Sequence, residues 1–141
     1  MRSLMAGAVA FLVSGSAFAA DSYICVPDAA TGFVQDQASQ KWRPTQFDVS
    51  GKKYLLKRTG KGAVWSKFGS TDAPDKCTDF DAGGFTTCSF LETVQFNEKS
   101  LRYQLIYPVG YMSGALAGPM NDLIAALHES PYLEIGSCSA F

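Results

Sequence analysis

Residues 88–111 read CSFLETVQFNEKSLRYQLIYPVGY, and their pattern indicates the fold class most clearly. In its second half a bulky side chain stands at every second position, with Arg102 and Gln104 between them. A period of two is typical of a strand that turns one face to a core. The bulky positions are Leu101, Tyr103, Leu105, Tyr107, Val109 and Tyr111.

The first half of the stretch alternates in the same way, and a short polar link joins the two halves. Cys88, Phe90, Val94 and Phe96 alternate with polar residues. The link is residues 97–100, Asn-Glu-Lys-Ser. Four polar residues between two alternating segments predict a β-hairpin built around a type I turn.

Weaker alternation predicts further strands on both sides of the hairpin. Links such as Ser50-Gly51 and residues 59–62 have the composition of turns. Pro44 has no amide hydrogen to donate to a ladder, so we expect its strand at a sheet edge or with a bulge. The further predicted strands are residues 31–36, 42–49, 53–57, 63–68 and 132–138.

A short helix is predicted just before the last strand. Apolar residues recur there at helical spacing between Pro119, which suits a first helical position, and Pro131, which ends the helix. These apolar residues are Met120, Leu123, Ile124 and Leu127.

Together these elements predict one mainly β domain. About seven antiparallel strands and one short helix fit a meander closed into a small barrel or a half-open roll, with a β-sandwich as the alternative. The chain has 141 residues, of which 47% are apolar and 13% aromatic, and a formal net charge of -1. Such apolar content excludes a disordered or collagen-like chain.

The first 20 residues have the pattern of a signal peptide. Arg2 supplies the positive start, residues 4–13 are an uncharged apolar run, and Ala17-Phe18-Ala19 fits the A-x-A cleavage pattern. We therefore expect a periplasmic or secreted protein, cleaved near Ala19 to Asp21, with a single domain over residues 21–141. No segment approaches the roughly twenty apolar residues of a transmembrane helix.

Export makes two disulfide bonds the expected state of the four cysteines. Cys25 and Cys138 lie near the two ends of the mature chain, whereas Cys77 and Cys88 flank a Gly- and Asp-rich stretch. Of the three possible pairings we therefore favour Cys25–Cys138 with Cys77–Cys88. A metal site is disfavoured because there is no C-x-x-C pair and only His128 to add.

Charge is unevenly distributed along the chain. Residues 41–67 carry eight Lys and Arg residues against Asp48 alone, with aromatic residues interleaved. This mixture can hold a polyanion by charge and by stacking, although outward strand lysines also serve solubility. Because export argues against nucleic acid, we expect an anionic envelope polymer or a protein as the partner. The candidate binding residues are Lys41, Trp42, Arg43, Lys52, Lys53, Tyr54, Lys57, Arg58 and Trp65.

Sequence signatures of catalysis are few. His128 is the only histidine, and no serine stands in a G-x-S-x-G elbow. Glu92 shares the alternation face of Phe90 and Val94, and burial there would raise its pKa, which can mark a functional site. An edge position or a salt bridge explains Glu92 more simply. We expect no enzyme activity and no cofactor.

Short stretches along nearly the whole mature chain resemble a family of small exported proteins of Gram-negative bacteria. The resemblance implies export and a single domain, but no activity, because that family has no assigned function. The stretches are Tyr23-Ile24-Cys25, Thr31-Gly32-Phe33, Lys41-Trp42-Arg43, Lys53-Tyr54-Leu55, Phe96-Asn97, Leu101-Arg102-Tyr103, Tyr107-Pro108, Gly110-Tyr111, residues 131–136 and Cys138.

The functional prediction is therefore a non-enzymatic exported binding domain that uses its basic aromatic face. One alternative is a lipocalin-like carrier with an unfilled interior lined by Phe90, Phe96, Tyr103 and Tyr107. The second is a periplasmic enzyme inhibitor. Ser113-Gly114-Ala115 is similar to the loop motif of periplasmic lysozyme inhibitors, although Leu116-Ala117 follows where that motif has Arg-Tyr.

Overall fold

The computed structural model describes residues 21–36, 38–89, 92–108, 111 and 130–141. The predicted signal peptide, the predicted helix, His128, Phe90 and the Ser113-Gly114-Ala115 motif lie outside the described residues. Within the described residues, nine strands form one antiparallel sheet, which confirms the mainly β prediction. They are β1 (Ser22–Gln35), β2 (Trp42–Phe47), β3 (Tyr54–Thr59), β4 (Gly62–Lys67), β5 (Asp75–Lys76), β6 (Phe85–Ser89), β7 (Thr93–Asn97), β8 (Arg102–Tyr107) and β9 (Tyr132–Ala140).

Eight of these strands follow one another around a nearly closed barrel, in the order β5-β4-β3-β1-β9-β8-β7-β6. The two ends of the order meet at a seam between β5 and β6. There Cys77 and Cys88 form an isolated antiparallel bridge, and the Thr78 amide donates to the Thr87 carbonyl at 2.9 Å. The β2 strand, which contains Pro44, lies off this path and pairs with residues 30–35 of β1.

Both predicted disulfide bonds are confirmed, and each joins neighbouring strands. Cys25 and Cys138 stand directly opposite each other in the β1–β9 ladder. Cys77–Cys88 crosses the seam that closes the barrel. The first bond therefore reinforces an existing ladder, whereas the second reinforces the weakest junction of the sheet.

The predicted hairpin is formed by β7 and β8. Asn97 pairs with Arg102, and the Asn97 side chain accepts the amide hydrogens of Lys99 and Ser100 at 2.9 Å each. Leu101 adopts a positive φ of 56° where the turn enters β8. The alternation of the hairpin points inward as predicted, because one face of each strand is buried. The buried residues of β7 and β8 are Val94, Phe96, Tyr103, Leu105 and Tyr107. Cys88, predicted in the same strand as Val94, is instead buried on β6, directly opposite Val94, so the first half of the predicted hairpin contributes to two paired strands.

The predicted core face does not extend to Tyr111. This residue is exposed, and its ring contacts that of Trp42 with centroids 5.5 Å apart. The β8 strand ends at Tyr107, just before Pro108, which cannot donate to a ladder. The alternating pattern therefore continues beyond the end of the β8 strand that it predicts.

Strand β9 is buried on its more polar face. Leu133 and Ile135 are 40% and 49% exposed, whereas Glu134 between them is completely buried. The buried face also carries Gly136 and Cys138. A Cβ atom at Gly136 would overlap the Tyr103 ring, so this glycine lets the ring lie against β9. Because a one-residue slip reverses both faces of a strand, the disulfide at Cys138 keeps Glu134 inside.

Candidate functional site

The carboxylate of Glu134 is the centre of a polar cluster inside the barrel. Its Oε1 accepts a hydrogen bond from the Tyr103 hydroxyl at 2.9 Å. Its Oε2 accepts one from the Tyr54 hydroxyl at 3.4 Å and faces the Lys52 ammonium at 3.3 Å. A buried carboxylate is stable only when it is paired and hydrogen-bonded, and both conditions hold here. We call Glu134, Tyr54, Tyr103 and Lys52 the carboxylate cluster.

The two tyrosines of the carboxylate cluster act as hydrogen-bond donors. Burial raises the pKa of Tyr54 and of Tyr103 far above its ordinary value, and the negative charge of Glu134 raises both further. Each hydroxyl therefore stays protonated at neutral pH and donates a hydrogen bond to the Glu134 carboxylate. The cluster combines one negative charge, one positive charge and two neutral donors.

Aromatic rings surround the cluster and fix its geometry. Tyr54 stacks on Trp65, with ring centroids 4.8 Å apart and planes inclined by 23°. The Trp65 ring also lies 5.2 Å from that of Tyr103. Rings held on both sides have few rotamers to exchange. The donors are therefore held in place before any ligand arrives.

A cavity of about 420 Å³ lies at the end of the barrel that carries Lys52. The rings of Tyr54, Trp65 and Tyr132 line it, together with Lys52, so the carboxylate of Glu134 lies directly behind the cavity wall. A wider groove of about 580 Å³ runs along outward-facing residues of β7–β9. We place the candidate site in the smaller cavity because it reaches the carboxylate cluster.

The rim of the cavity carries a second carboxylate–tyrosine pair. The Tyr132 hydroxyl donates to Glu92 Oε1 at 3.0 Å, and Glu92 is half-buried. Burial raises the pKa of Tyr132, and the charge of Glu92 raises it further. The Tyr132 ring stacks on that of Tyr107 at 5.7 Å, which holds it in the wall. Glu92, which the sequence singled out, therefore lies at the cavity and hydrogen-bonds a wall residue.

The charged groups of the wall are mostly acidic. Asp72, Asp75 and Glu92 contribute carboxylates, and Lys52 and Lys67 contribute ammonium groups. Burial raises the pKa of Asp75. With Glu134 behind the wall, negative groups outnumber positive ones even though Lys52 is in place.

The structure separates the predicted basic aromatic face into an inner and an outer set. Tyr54 and Trp65 are 7% and 2% exposed, so they cannot stack on a polymer from outside, and we correct that expectation. Alternation places them inside because their strands have one face in the core. Lys41, Lys53 and Lys57 are exposed.

The two arginines of the predicted face have acidic partners. Arg43 pairs with Asp36 at 2.9 Å. Arg58 pairs with Glu98, and its guanidinium lies 4.2 Å from the centre of the Phe80 ring. The remaining member, Trp42, is half-buried beside Tyr111, as described above.

Sequence reasoning also missed residues of the site. Glu134 and Tyr132 were not selected, although both share the alternation face of Cys138, and a disulfide cysteine is a strong indicator of an inward face. The carrier alternative placed an empty space among Phe96, Tyr103 and Tyr107. These side chains are instead packed in the core, and the cavity lies at the end of the barrel.

Comparison of the chain with models of protein families, with curated proteins and with solved structures gives no significant match. Among the described residues, no three His, Cys, Asp or Glu side chains are grouped as ligands for a metal ion. The same part of the chain contains no helix with the length and apolar character needed to cross a bilayer.

Proposed function

We propose that this protein is an exported, non-enzymatic binding domain that takes a small polar ligand into the cavity at the Lys52 end of the barrel. One observation carries the proposal: a cavity of about 420 Å³ combines three aromatic rings with charged groups and lies directly over the carboxylate cluster. Ligand sites are commonly concave, partly aromatic and supplied with a few fixed polar groups.

The state of the carboxylate cluster supports binding over catalysis. Both oxygens of Glu134 accept hydrogen bonds within the protein, and the raised pKa values keep Tyr54 and Tyr103 protonated. A general base must instead have an oxygen or nitrogen within reach of a substrate proton and a pKa near the working pH. Such a cluster orients groups around a ligand. The signal-peptide pattern and the two disulfide bonds support export.

The outer lysines support a weaker second candidate, the binding of an anionic envelope polymer. Lys53 and Lys57 are exposed, the first directly before β3 and the second within it. Without the rings of Tyr54 and Trp65, such binding would rest on charge alone and would weaken steeply with salt. The two candidates use different residues, so they can be tested separately.

Trp65 provides a fluorescence probe of the cavity. The chain has two tryptophans, so Trp42→Phe leaves Trp65, which lines the cavity, as the sole tryptophan for selective excitation. We expect a library of small polar molecules to contain ligands that change Trp65 emission and raise the thermal midpoint. A ligand at about 100 times its Kd stabilises the folded state by about 2.7 kcal/mol.

A pair of tryptophan substitutions tests the location by calorimetry. Ala73→Trp fills the cavity mouth and should abolish binding, whereas Ala82→Trp lies in the turn before β6 and should leave the Kd unchanged. Unchanged affinity in Ala73→Trp would refute the cavity as the site. Loss of heparin or lipopolysaccharide retention in Lys53→Gln/Lys57→Gln, with ligand binding intact, would support the second candidate as a separate property.

A further inference from the structure

Lys52 places a primary ammonium group in a site that is built for one. Its Nζ lies 3.3 Å from Glu134 Oε2 and 5.3 Å from the centre of the Tyr132 ring. A carboxylate and an aromatic face are the two groups that recognise organic cations in proteins. The Tyr54 hydroxyl, which donates to the same carboxylate oxygen, completes the environment.

The position of Lys52 in the chain allows it to leave this site. It belongs to the loop between β2 and β3, just after Gly51, which has a φ of +75°. Its side chain is 33% exposed, whereas Glu134 is completely buried. Four flexible methylene groups carry the ammonium, so it can move into water, where it is strongly hydrated and keeps its charge.

The surroundings favour a second cation over an anion or a neutral molecule. Asp72, Asp75 and Glu92 line the same cavity, so a cation entering it meets carboxylates before it reaches Glu134. An anion would meet these three carboxylates as like charges, and besides Lys52 only Lys67 in the wall would attract it. A neutral molecule could not pair with Glu134 after displacing Lys52, which would leave a buried carboxylate without a counter-ion.

We propose that the cavity selects a small organic cation with a primary ammonium group, which replaces the Lys52 ammonium beside Glu134 and over the Tyr132 ring. This inference rests on the proposed function, because it names the ligand class of the same cavity. Binding is then an exchange in which one ammonium always pairs with Glu134. Lys52 acts as a tethered competitor whose effective concentration is in the millimolar range typical of short flexible linkers.

The test removes the Lys52 ammonium group and adds a free ammonium compound. Lys52→Met keeps the apolar stem without the charge, and Lys53→Met is the matched control on an exposed neighbour. Butylammonium chloride is the probe, with butan-1-ol and sodium butyrate at equal concentration and constant ionic strength. We expect saturable stabilisation of Lys52→Met by butylammonium, with an affinity at least about tenfold above that of the wild type and of Lys53→Met. Adding Glu134→Gln to Lys52→Met should remove the effect.

A measurement on the wild-type protein covers the case in which Lys52→Met does not fold. Butylammonium should increase the acetylation of Lys52 relative to that of Lys53 in the same reaction, followed by mass spectrometry, because displacement exposes the Lys52 amine. The ratio is the readout because the probe is itself a primary amine and consumes acetylating reagent, which lowers labelling at both lysines. An unchanged Lys52-to-Lys53 ratio at saturating probe would overturn the inference.

The outcomes separate this inference from the proposed function. If butylammonium stabilises Lys52→Met no more than butan-1-ol or sodium butyrate does, the ammonium assignment is wrong. A non-cationic ligand that changes Trp65 emission and is lost in Ala73→Trp would then leave the cavity function intact. If no ligand depends on residue 73, the proposed function fails as well.

Discussion

Removal of the seam disulfide should open the cavity locally, while it lowers the stability of the barrel less than removal of the β1–β9 disulfide does. The comparison is between two double variants, Cys77→Ala/Cys88→Ala at the seam and Cys25→Ala/Cys138→Ala in the β1–β9 ladder. The bonded cysteines are 11 residues apart in the first case and 113 in the second. Loop-closure entropy then predicts losses of roughly 3 and roughly 5 kcal/mol in the free energy of unfolding.

The folded structure adds a local difference that loop length does not contain. The β1 and β9 strands are paired along most of their length, so the ladder stays closed without Cys25–Cys138. At the seam, β5 has only two residues, and one of them, Asp75, lines the cavity. We therefore expect faster amide hydrogen exchange in β5 and β6 and weaker ligand binding in the seam variant alone.

Urea unfolding of the two variants at neutral pH, followed by tryptophan fluorescence, gives the free energies, and exchange by mass spectrometry gives the local opening. The long-loop variant should have the lower urea midpoint but native exchange rates at the seam. The reasoning fails if the seam variant is the less stable of the two. It also fails if exchange in β5 and β6 is unchanged when Cys77–Cys88 is absent.

Three further predictions concern the interior. Gly136→Ala should lower the free energy of unfolding by about 1–3 kcal/mol, because the added methyl overlaps the Tyr103 ring; a urea midpoint equal to that of wild type would contradict this. Glu134→Gln should lower the free energy of unfolding by about 1–3 kcal/mol, since one amide oxygen replaces two carboxylate acceptors. An unchanged urea midpoint would refute this prediction. The raised pKa values of Tyr54, Tyr103 and Tyr132 imply stability that is complete below about pH 10 and is lost as pH rises above it, by up to about 4 kcal/mol per pH unit for three protons. Ultraviolet absorbance should therefore show these tyrosines ionising only on alkaline unfolding, and ionisation near pH 10 in the folded protein would contradict the burial argument.

The hairpin could be predicted from sequence because three local indicators agree there. A bulky residue stands at every second position of β8, the link is polar, and its Asn97 side chain satisfies two turn amides. The disulfide pairing was also predictable, since Cys77 and Cys88 flank a single short turn-rich stretch. Agreement between strand alternation, turn composition and local hydrogen bonds favours one fold for a segment, and it also makes that fold predictable from the sequence.

The buried face of β9 could not be predicted from hydropathy, because contacts with other strands determine which face is buried. Leu133 and Ile135 suggest a core face, but Glu134 occupies it. A buried carboxylate becomes favourable only when donors from β3 and β8 and the ammonium of Lys52 converge on it. Those donors are 31 to 82 residues away along the chain, so no local window of sequence contains the compensation.

The basic aromatic face illustrates a constraint that the sequence did contain. Lys53 and Tyr54 are consecutive, and consecutive residues in a strand point to opposite faces of the sheet. Within β3, Tyr54 and Leu56 are buried while Lys57 is exposed, so a ring and its neighbouring lysine cannot bind one ligand together. Lys52 stands two positions before Tyr54, so the same alternation puts it on the side of this ring, and its flexible stem reaches Glu134. Residues 52 and 54, which are one strand period apart, therefore contact the same carboxylate, whereas Lys53 between them is exposed.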